Sequence, residues 1–317
     1  MSSAAGPQGT LRVTLTGATG LIGSALTRAL RERGHEVTVL SRDPERARAR
    51  LGDDPHLRAL AWDPLRGPAP AQALSGQDAL VNLAGEQIAR RWSGAVKRAI
   101  HDSRVTGTRN LVQGLSACEQ RPRTLVSASA VGYYGSHGDE PLDEDAPAGR
   151  DFLAGVCAAW EAQAAAARAL GVRVVALRTG VVLARGGGAL AKLLTPFRLG
   201  LGGPVAGGRQ YMSWIGLPDH VALVLAALAD ERFEGPVNAT APEPVTNGEF
   251  TRALARVLHR PAVLPLPAFA LRALYGDMAQ TVTSGARVLP AKALMLGFQF
   301  RHAHVYEALQ AALVQRA

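Results

Sequence analysis

Apolar and polar residues alternate from the eleventh position, with Leu11, Val13 and Leu15 set against Arg12, Thr14 and Thr16. A period of two is the mark of a β-strand. Beyond Thr16 the period changes. Ile22, Ala25, Leu26, Ala29 and Leu30 recur three and four apart, a helical spacing, and Gly34 stops it. Further strands are expected over 36–40, 57–62 and 79–85, the last apolar enough to be buried on both faces. Residues 64–76, rich in Pro, Gly and Ala, read as an irregular crossover. A long helix is expected over 94–119, a fifth strand over 124–129 and a glycine- and tyrosine-rich loop over 130–135. An exposed acidic loop over 139–145, a helix over 152–170 and a sixth strand over 172–177 follow. Strands alternating with helices give an α/β fold built on a doubly wound parallel sheet.

After residue 178 the alternation loosens. Gly186, Gly187 and Gly188 precede a helix to about 199, and the glycine-rich stretch 200–211 reads as flexible. Order returns at 213–215, with a helix over 218–229 and a short strand over 236–239. Beyond 241 the pattern suggests a smaller α/β lobe: a helix over 247–258, a proline-flanked strand over 261–266, and helical pieces to the end. The expected organisation is a loose tail over 1–10, a nucleotide-binding domain over 11–240 with a substrate-loop segment at 184–213, and a C-terminal lobe over 241–317. No internal repeat is apparent.

The junction after the first strand carries the first candidate chemistry. Gly17, Gly20 and Gly23 stand in the spacing G-x-x-G-x-x-G between a strand and a helix. In that setting Gly17 permits a tight turn, Gly20 a close approach of backbone to a pyrophosphate, and Gly23 close contact of helix and strand. The helix N-terminus offers unpaired N–H groups to phosphate. Glycines alone would fit any strand–turn–helix corner; the flanking strands favour a nucleotide site. The second strand ends at Ser41-Arg42 with no acid at its end, where an NAD site usually places Asp or Glu on the ribose 2′-hydroxyl. Arg42 can pair with a 2′-phosphate and Ser41 can add a hydroxyl, which favours NADP(H). A surface arginine at a helix start is the plain alternative, and Asp43 is close enough in sequence to touch ribose. Asp63, ending the third strand, fits an adenine contact and an ordinary turn equally well. Asn82 needs buried partners whether its role is structural or functional.

Composition changes this picture little. The 317-residue chain is 47% hydrophobic, enough for a sizeable core. Lys plus Arg exceed Asp plus Glu by 35 − 26 = 9. The arginines are scattered except for the cluster from Arg42 to Arg50, so the excess reads as a phosphate field and solvated helix faces. No nucleic-acid partner is expected. No apolar run reaches spanning length and no secretory signal opens the chain, so no membrane partner is expected either. Cys118 and Cys157, both placed in helices, suit a reducing, cytoplasmic setting better than a disulfide framework. No metal ligand is expected.

The stretch Thr16-Gly17-Ala18-Thr19-Gly20-Leu21-Ile22-Gly23 resembles the extended short-chain dehydrogenase/reductase superfamily. Further stretches narrow the likeness: Asn82-Leu83-Ala84-Gly85-Glu86, Arg91-Trp92, Ser103-Arg104, Trp160-Glu161, Arg178 to Leu183, Pro196 to Gly203, and Ser213-Trp214-Ile215. Together they resemble the atypical "epimerase family protein" branch, over about residues 11–315, with a C-terminal domain of unknown function. The resemblance implies a Rossmann-type fold and NADP(H). It implies cofactor contacts at Gly17, Thr19, Gly20, Leu21 and Ile22, the 2′-phosphate at Ser41 and Arg42, and the remainder at Leu83, Ala84, Gly85, Arg104 and Val181. The family's Trp-Ile-His reads Trp214-Ile215-Gly216 here, so any role of that histidine is lost or moved.

The parent superfamily works with a Tyr-x-x-x-Lys pair on the helix after strand five, in which lysine lowers the tyrosine pKa. Those places hold Leu153 and Cys157. The atypical branch also lacks the pair, so the fold alone does not supply a reaction. Ser129 stands where the superfamily's substrate-orienting serine lies, and Tyr133 or Tyr134 can present a phenol to the same crevice, although packing explains both tyrosines as well. His137 is a candidate relay or a plain loop histidine. Arg209, Gln210, Tyr211 and Trp214, with Tyr133, are candidate substrate contacts. Two functions remain open: an oxidoreductase or epimerase on an unidentified small carbonyl or sugar-nucleotide-like substrate, and a non-catalytic NADPH-binding module that senses redox state. Substrate and oligomeric state are not legible.

Overall fold

The structure, a computed structural model, describes residues 9–314. Most of the expected tail, residues 1–8, and residues 315–317 lie outside the described residues. Seven strands form the central sheet: β1 (Arg12–Thr16), β2 (Glu36–Ser41), β3 (Leu57–Ala61), β4 (Ala79–Asn82), β5 (Thr124–Ala130), β6 (Arg173–Thr179) and β7 (Gly235–Ala239). All run parallel, in the order β7-β6-β5-β4-β1-β2-β3. The order reverses between β1 and β4, where Thr16 pairs with Asn82. A ligand crevice opens outside the carboxyl ends of strands at such a reversal.

Helices cover both faces, which is why the inner strands are apolar on both sides. Helix α1 (Leu21–Arg31) and helix α6 (Leu217–Ala229) bury Leu26, Leu30, Leu223 and Val224 in one core with Val13 and Val39. Helix α3 (Gly94–Ser116) and helix α4 (Phe152–Ala165) bury Leu111, Leu115 and Ala164 in another with Leu80 and Leu125. Short polar residues start several helices by accepting from a first-turn N–H. Asp43 accepts from Arg46 N to start α2 (Pro44–Leu51), Ser93 from Val96 N for α3, and Asp151 from Ala154 N for α4. The crossover expected over 64–76 contains one turn of helix, Ala71–Leu74. Cys118 sits just beyond the end of α3 and Cys157 within α4; both are buried free thiols.

The C-terminal lobe shares its core with the segment before it. Helix α5 (Gly188–Arg198), helix α7 (Asn247–Leu258) and helix α9 (Val305–Val314) enclose Leu190, Phe197, Trp214, Phe250, Leu254 and Leu309. Strand Tyr211–Met212 pairs with Val245–Thr246, and Pro141–Leu142 with Arg287–Val288. The strand expected over 261–266 does not form. Pro261 and Pro265 have no N–H to give a ladder. Among the described residues Leu264 N and Leu266 N donate to Gly202 O at 3.1 Å and Pro204 O at 2.9 Å, and Leu266 O accepts from Ala206 N at 3.0 Å, an isolated bridge and not a ladder. After this segment comes helix α8 (Ala268–Tyr275). The acidic loop is also corrected at one residue. Glu144 is only 6% exposed, its carboxylate accepting from Asn238 N at 2.9 Å and Lys292 N at 3.1 Å. Burial raises its pKa above the ordinary carboxylate range.

His220 of α6 is wholly buried, with Nε2 3.0 Å from Thr179 Oγ1. Thr179 gives its own hydroxyl hydrogen to Leu177 O at 3.2 Å, so His220 carries its proton on Nε2. Nδ1 has no partner. Burial holds the imidazole pKa down to about 4. A depressed folded pKa means stability that is complete above the unfolded value near 6.5 and is lost as pH falls towards 4. Thermal unfolding across that window is expected to show a loss of about 3 kcal/mol. His220→Gln, which cannot titrate, is expected to flatten this pH dependence.

Candidate functional site

The crevice is built where the first turn meets the end of β4. Gly17 has φ +69° and lies against the next strand: a Cβ there would stand 2.7 Å from the Leu83 carbonyl carbon and oxygen. A Cβ on Gly23 would stand 2.2 Å from Gly17 O. Both places therefore exclude a side chain. Gly20 is the exposed N-cap of α1 and supplies no side-chain cap. The first-turn N–H groups are left to an anion at the positive end of the helix. Thr19, Leu21 and Ile22 are half-buried around this turn, and the glycine loop at Gly187 and Gly188 rests on the Leu21 side chain.

At the end of β2, Ser41 Oγ donates to Asp43 O at 3.0 Å. The Asp43 carboxylate is committed to the α2 cap, accepting from Arg46 N at 3.0 Å. Arg42 is exposed and makes no ion pair among the described residues. The one acid near the ribose position thus has a structural task, and the arginine does not. Asp63 accepts from Leu65 N at 3.0 Å and pairs with Arg66 at 3.2 Å, the ordinary turn arrangement.

Polar side chains fix the strand ends beneath the crevice. Thr16 Oγ1 donates to Asn82 Oδ1 at 2.7 Å, and Asn82 Nδ2 donates to Thr108 Oγ1 at 2.9 Å. Trp160 Nε1 donates to the same Thr108 oxygen at 2.8 Å. Asn82 is thereby satisfied structurally. Leu83 and Ala84 are half-buried and Gly85 is exposed at the crevice. The Arg104 guanidinium faces Gly85, donates to Glu86 O at 3.1 Å and lies 5.2 Å from the Trp160 ring centre. Val181 is half-buried in the short strand Val181–Leu183, paired with Trp214–Gly216.

A buried ionic network, unforeseen from the sequence, lies at the ends of β5 and β6. Arg178 and Glu161 form a two-pronged pair, Nε to Oε1 and Nη2 to Oε2, both 2.9 Å. Ser129 Oγ donates to Glu161 Oε1 at 2.6 Å. Arg178 Nη1 donates to the Tyr134 hydroxyl at 2.9 Å and to Glu144 O at 3.0 Å. Tyr134 in turn donates to Asn238 Oδ1 at 2.6 Å. Glu161 and Arg178 stood within recognisable stretches, but nothing linear joins a helix residue to a strand end. The available signal was a lone acid in an otherwise apolar helix and an arginine at the inner end of an apolar strand, since such charges are buried only when paired.

This network moves the catalytic candidates. Tyr134 is 0% exposed and both its partners are interior, so it does not present a phenol to the crevice. Burial pushes its pKa up to about 12. Ser129 is buried with its hydroxyl hydrogen given to Glu161. Tyr133 is half-buried, its ring 3.5 Å from the Arg178 guanidinium, and its hydroxyl makes no hydrogen bond among the described residues. Leu153 lies beside Gly132, and Cys157 is a buried thiol whose pKa burial pushes up to about 11. His137 faces Glu140 at 3.9 Å.

The substrate candidates divide. Trp214 is a core residue with no exposure, its Nε1 donating to Glu243 O at 3.0 Å, so it cannot meet a substrate. Gln210 Nε2 donates to Val205 O at 3.1 Å and Val282 O at 2.9 Å, which makes it a loop brace. Arg209 is exposed and Tyr211 half-buried near Arg287. Beside Gly216, in place of the histidine expected by resemblance, stands His302. Its Nδ1 lies 3.9 Å from where a Cβ would be and 3.8 Å from Asp219 Oδ2.

The sheet order and the glycine cradle at its reversal define a Rossmann-type protein. Residues 13–239 match the NAD dependent epimerase/dehydratase family, and the chain belongs to that family. Residues 266–312 match a domain of unknown function, DUF1731. Epimerase family protein MT2273 of Mycobacterium tuberculosis is 45% identical over 299 residues, covering 94% of this chain and 96% of that protein. The crystal structure of human epimerase family protein SDR39U1 (isoform2) with NADPH superposes with a TM-score of 0.86 at 35% identity, covering 96% of this chain and 100% of that one. A nucleoside-diphosphate sugar epimerase from Corynebacterium glutamicum is 36% identical with a TM-score of 0.76, covering 96% of this chain and 58% of that one.

Removing one member of a buried ion pair strands the other charge, at about 3–5 kcal/mol. Arg178→Met is expected to lower stability to chemical denaturation by about that amount. The double variant Arg178→Met, Glu161→Gln is expected to recover part of the loss, which a double-mutant cycle in urea would measure.

Proposed function

We propose that this chain is an NADP(H)-dependent oxidoreductase or epimerase-like enzyme acting on a small carbonyl or sugar-nucleotide-like substrate. One observation carries the cofactor choice: at the end of β2 the arginine makes no ion pair among the described residues while the neighbouring aspartate caps a helix. The human relative crystallised with NADPH supports the same choice. The residues fit the cofactor. Gly17 and Gly23 close a cradle that a Cβ would fill, and α1 begins without a side-chain cap. Gly17, Thr19, Gly20, Leu21 and Ile22 would hold the pyrophosphate, and Ser41 and Arg42 the 2′-phosphate. Leu83, Ala84, Gly85, Arg104 and Val181 would line the path beyond. Bound there, the cofactor supplies or accepts hydride.

Among the phenols, Tyr133 would exchange a proton with substrate; its hydroxyl makes no hydrogen bond among the described residues and Tyr134 is interior, which supports that choice. Ser129 orients by accepting, because its own hydrogen goes to Glu161. The loop of Arg209 and Tyr211 would face substrate. A second reading, a non-catalytic NADPH-binding redox sensor, draws on Leu153 and Cys157 at the places where the superfamily keeps tyrosine and lysine.

Arg42→Ala is expected to weaken NADPH about 10- to 100-fold, the worth of lost charge-assisted hydrogen bonds, with little change for NADH. Titration calorimetry with both dinucleotides checks this, and an equal loss for both would remove the 2′-phosphate assignment. With NADPH and a panel of carbonyls and nucleotide-sugars, turnover abolished by Tyr133→Phe supports the enzyme. A bound cofactor that reduces nothing supports the sensor.

A further inference from the structure

Residues 261–271 read Pro-Ala-Val-Leu-Pro-Leu-Pro-Ala-Phe-Ala-Leu, without one hydrogen-bonding side chain, and are bracketed by Arg260 and Arg272. A run of this kind belongs in a core. Instead it lies on the surface: Val263 is 74% and Phe269 76% exposed. The backbone bonds from Leu264 and Leu266 to Gly202 and Pro204 set the run beside a second exposed apolar stretch, in which Leu199 is 68% exposed. Arg260 Nε donates to Arg198 O at 3.1 Å, so Arg198 stands at the same edge. Soluble proteins seldom leave large side chains exposed together without a partner.

Along the two stretches that carry this face the charges all have one sign. No Asp or Glu occurs between Glu161 and Asp219, or between Glu249 and Asp277. The bracketing carboxylates are occupied: Glu249 accepts from Thr246 in the α7 capping box, and Asp277 pairs with Lys97 at 2.6 Å. Beside the apolar run is a shallow groove of about 570 Å³ lined by Arg252, Arg256, His259, Arg260, Ala262 and Val263. Among the described residues these arginines make no ion pair; Arg256 lies over the Tyr306 ring.

We propose that this face docks on an anionic lipid bilayer, with Leu199, Val263, Leu264 and Phe269 entering the headgroup–acyl boundary and Arg198, Arg252, Arg256 and Arg260 meeting the phosphates. Arginines bordering an aliphatic and aromatic patch are the chemistry of interfacial attachment. A protein interface carries about one hydrogen bond per 100–200 Å², and the apolar run has no side chain able to make one. Attachment needs no spanning segment, and no described helix is long and apolar enough to cross a membrane. The expectation of no membrane partner rested on spanning length, the lack of a secretory signal and the scatter of arginines along the chain, none of which shows which arginines the fold gathers beside an apolar face.

The test is co-sedimentation of the full chain with phosphatidylcholine vesicles containing phosphatidylglycerol, against pure phosphatidylcholine vesicles, at low and high salt. Sedimentation is expected with the anionic vesicles only, weakening as salt rises. Arg260→Ala is expected to weaken it about fivefold, the worth of one cation at a charged surface. Phe269→Glu is expected to weaken it about tenfold or more. Both positions are exposed, and unchanged circular dichroism and NADPH binding would show that the variants fold. The proposal is overturned if the protein ignores anionic vesicles, or if Phe269→Glu binds them as the parent does. It is also overturned if light scattering finds a dimer that Phe269→Glu splits, which would give the face to a second copy.

Discussion

The contact on which the rest of this molecule depends is backbone against backbone. The turn at Gly17 presses on the carbonyl of Leu83, and Gly23 brings α1 against the same turn. Two strands that are neighbours in space but far apart in sequence can end this close only if no side chain intervenes. The approach lets α1 point its open end into the crevice at the sheet's reversal. It also brings Leu83, Ala84 and Gly85 to the lip of that crevice, and through Gly85 the Arg104 guanidinium. A methyl group at either glycine would push the helix from the strand ends and open the cradle.

Behind the crevice the structure holds its strand ends with polar side chains instead of apolar ones. Thr16, Asn82, Thr108 and Trp160 link β1, β4, α3 and α4 through neutral hydrogen bonds. Glu161 and Arg178 link α4 to β6, and through Tyr134, Asn238 and Glu144 they reach β7 and the C-terminal lobe. A satisfied buried network gives directional constraints that apolar contact does not, and each member fixes the rotamer of the next. Where the parent superfamily keeps a tyrosine and lysine for chemistry, this chain has Leu153 and Cys157 and an ion pair one turn further along the helix. The same helix therefore braces the fold at the place where the superfamily keeps its chemistry.

The sheet was legible because its signals are local. Alternation marked β1, the change of period marked α1, and the seven strands fall where short apolar runs lie between helical stretches. The failures have physical causes. Residues 261–266 have the composition of a strand, but their prolines cannot donate, and pairing with the neighbouring segment stops at one isolated bridge, Val205 to Leu266. Glu144 lies in an acidic run that should be solvated, yet two backbone N–H groups from distant elements draw it inside. Of the candidate site, the phosphate cradle and the basic end of β2 were readable because one short segment contains each. Tyr134, Trp214 and Gln210 were misplaced, since exposure depends on what covers a residue and not on its type.

The sequence by itself determined the parts set by neighbours along the chain: the strand–turn–helix cradle, the arginine closing β2, and the absence of a tyrosine–lysine pair. Only the tertiary structure decided which of two adjacent tyrosines is wholly buried and that Asp43 caps α2. It also decided that Arg178 finds Glu161, and that the apolar run after Pro261 stays outside. Each of these turns on a contact between elements that the chain order does not bring together. Burial and partnership are properties of the assembled sheet and its two layers of helices, and a residue acquires them only when those layers close.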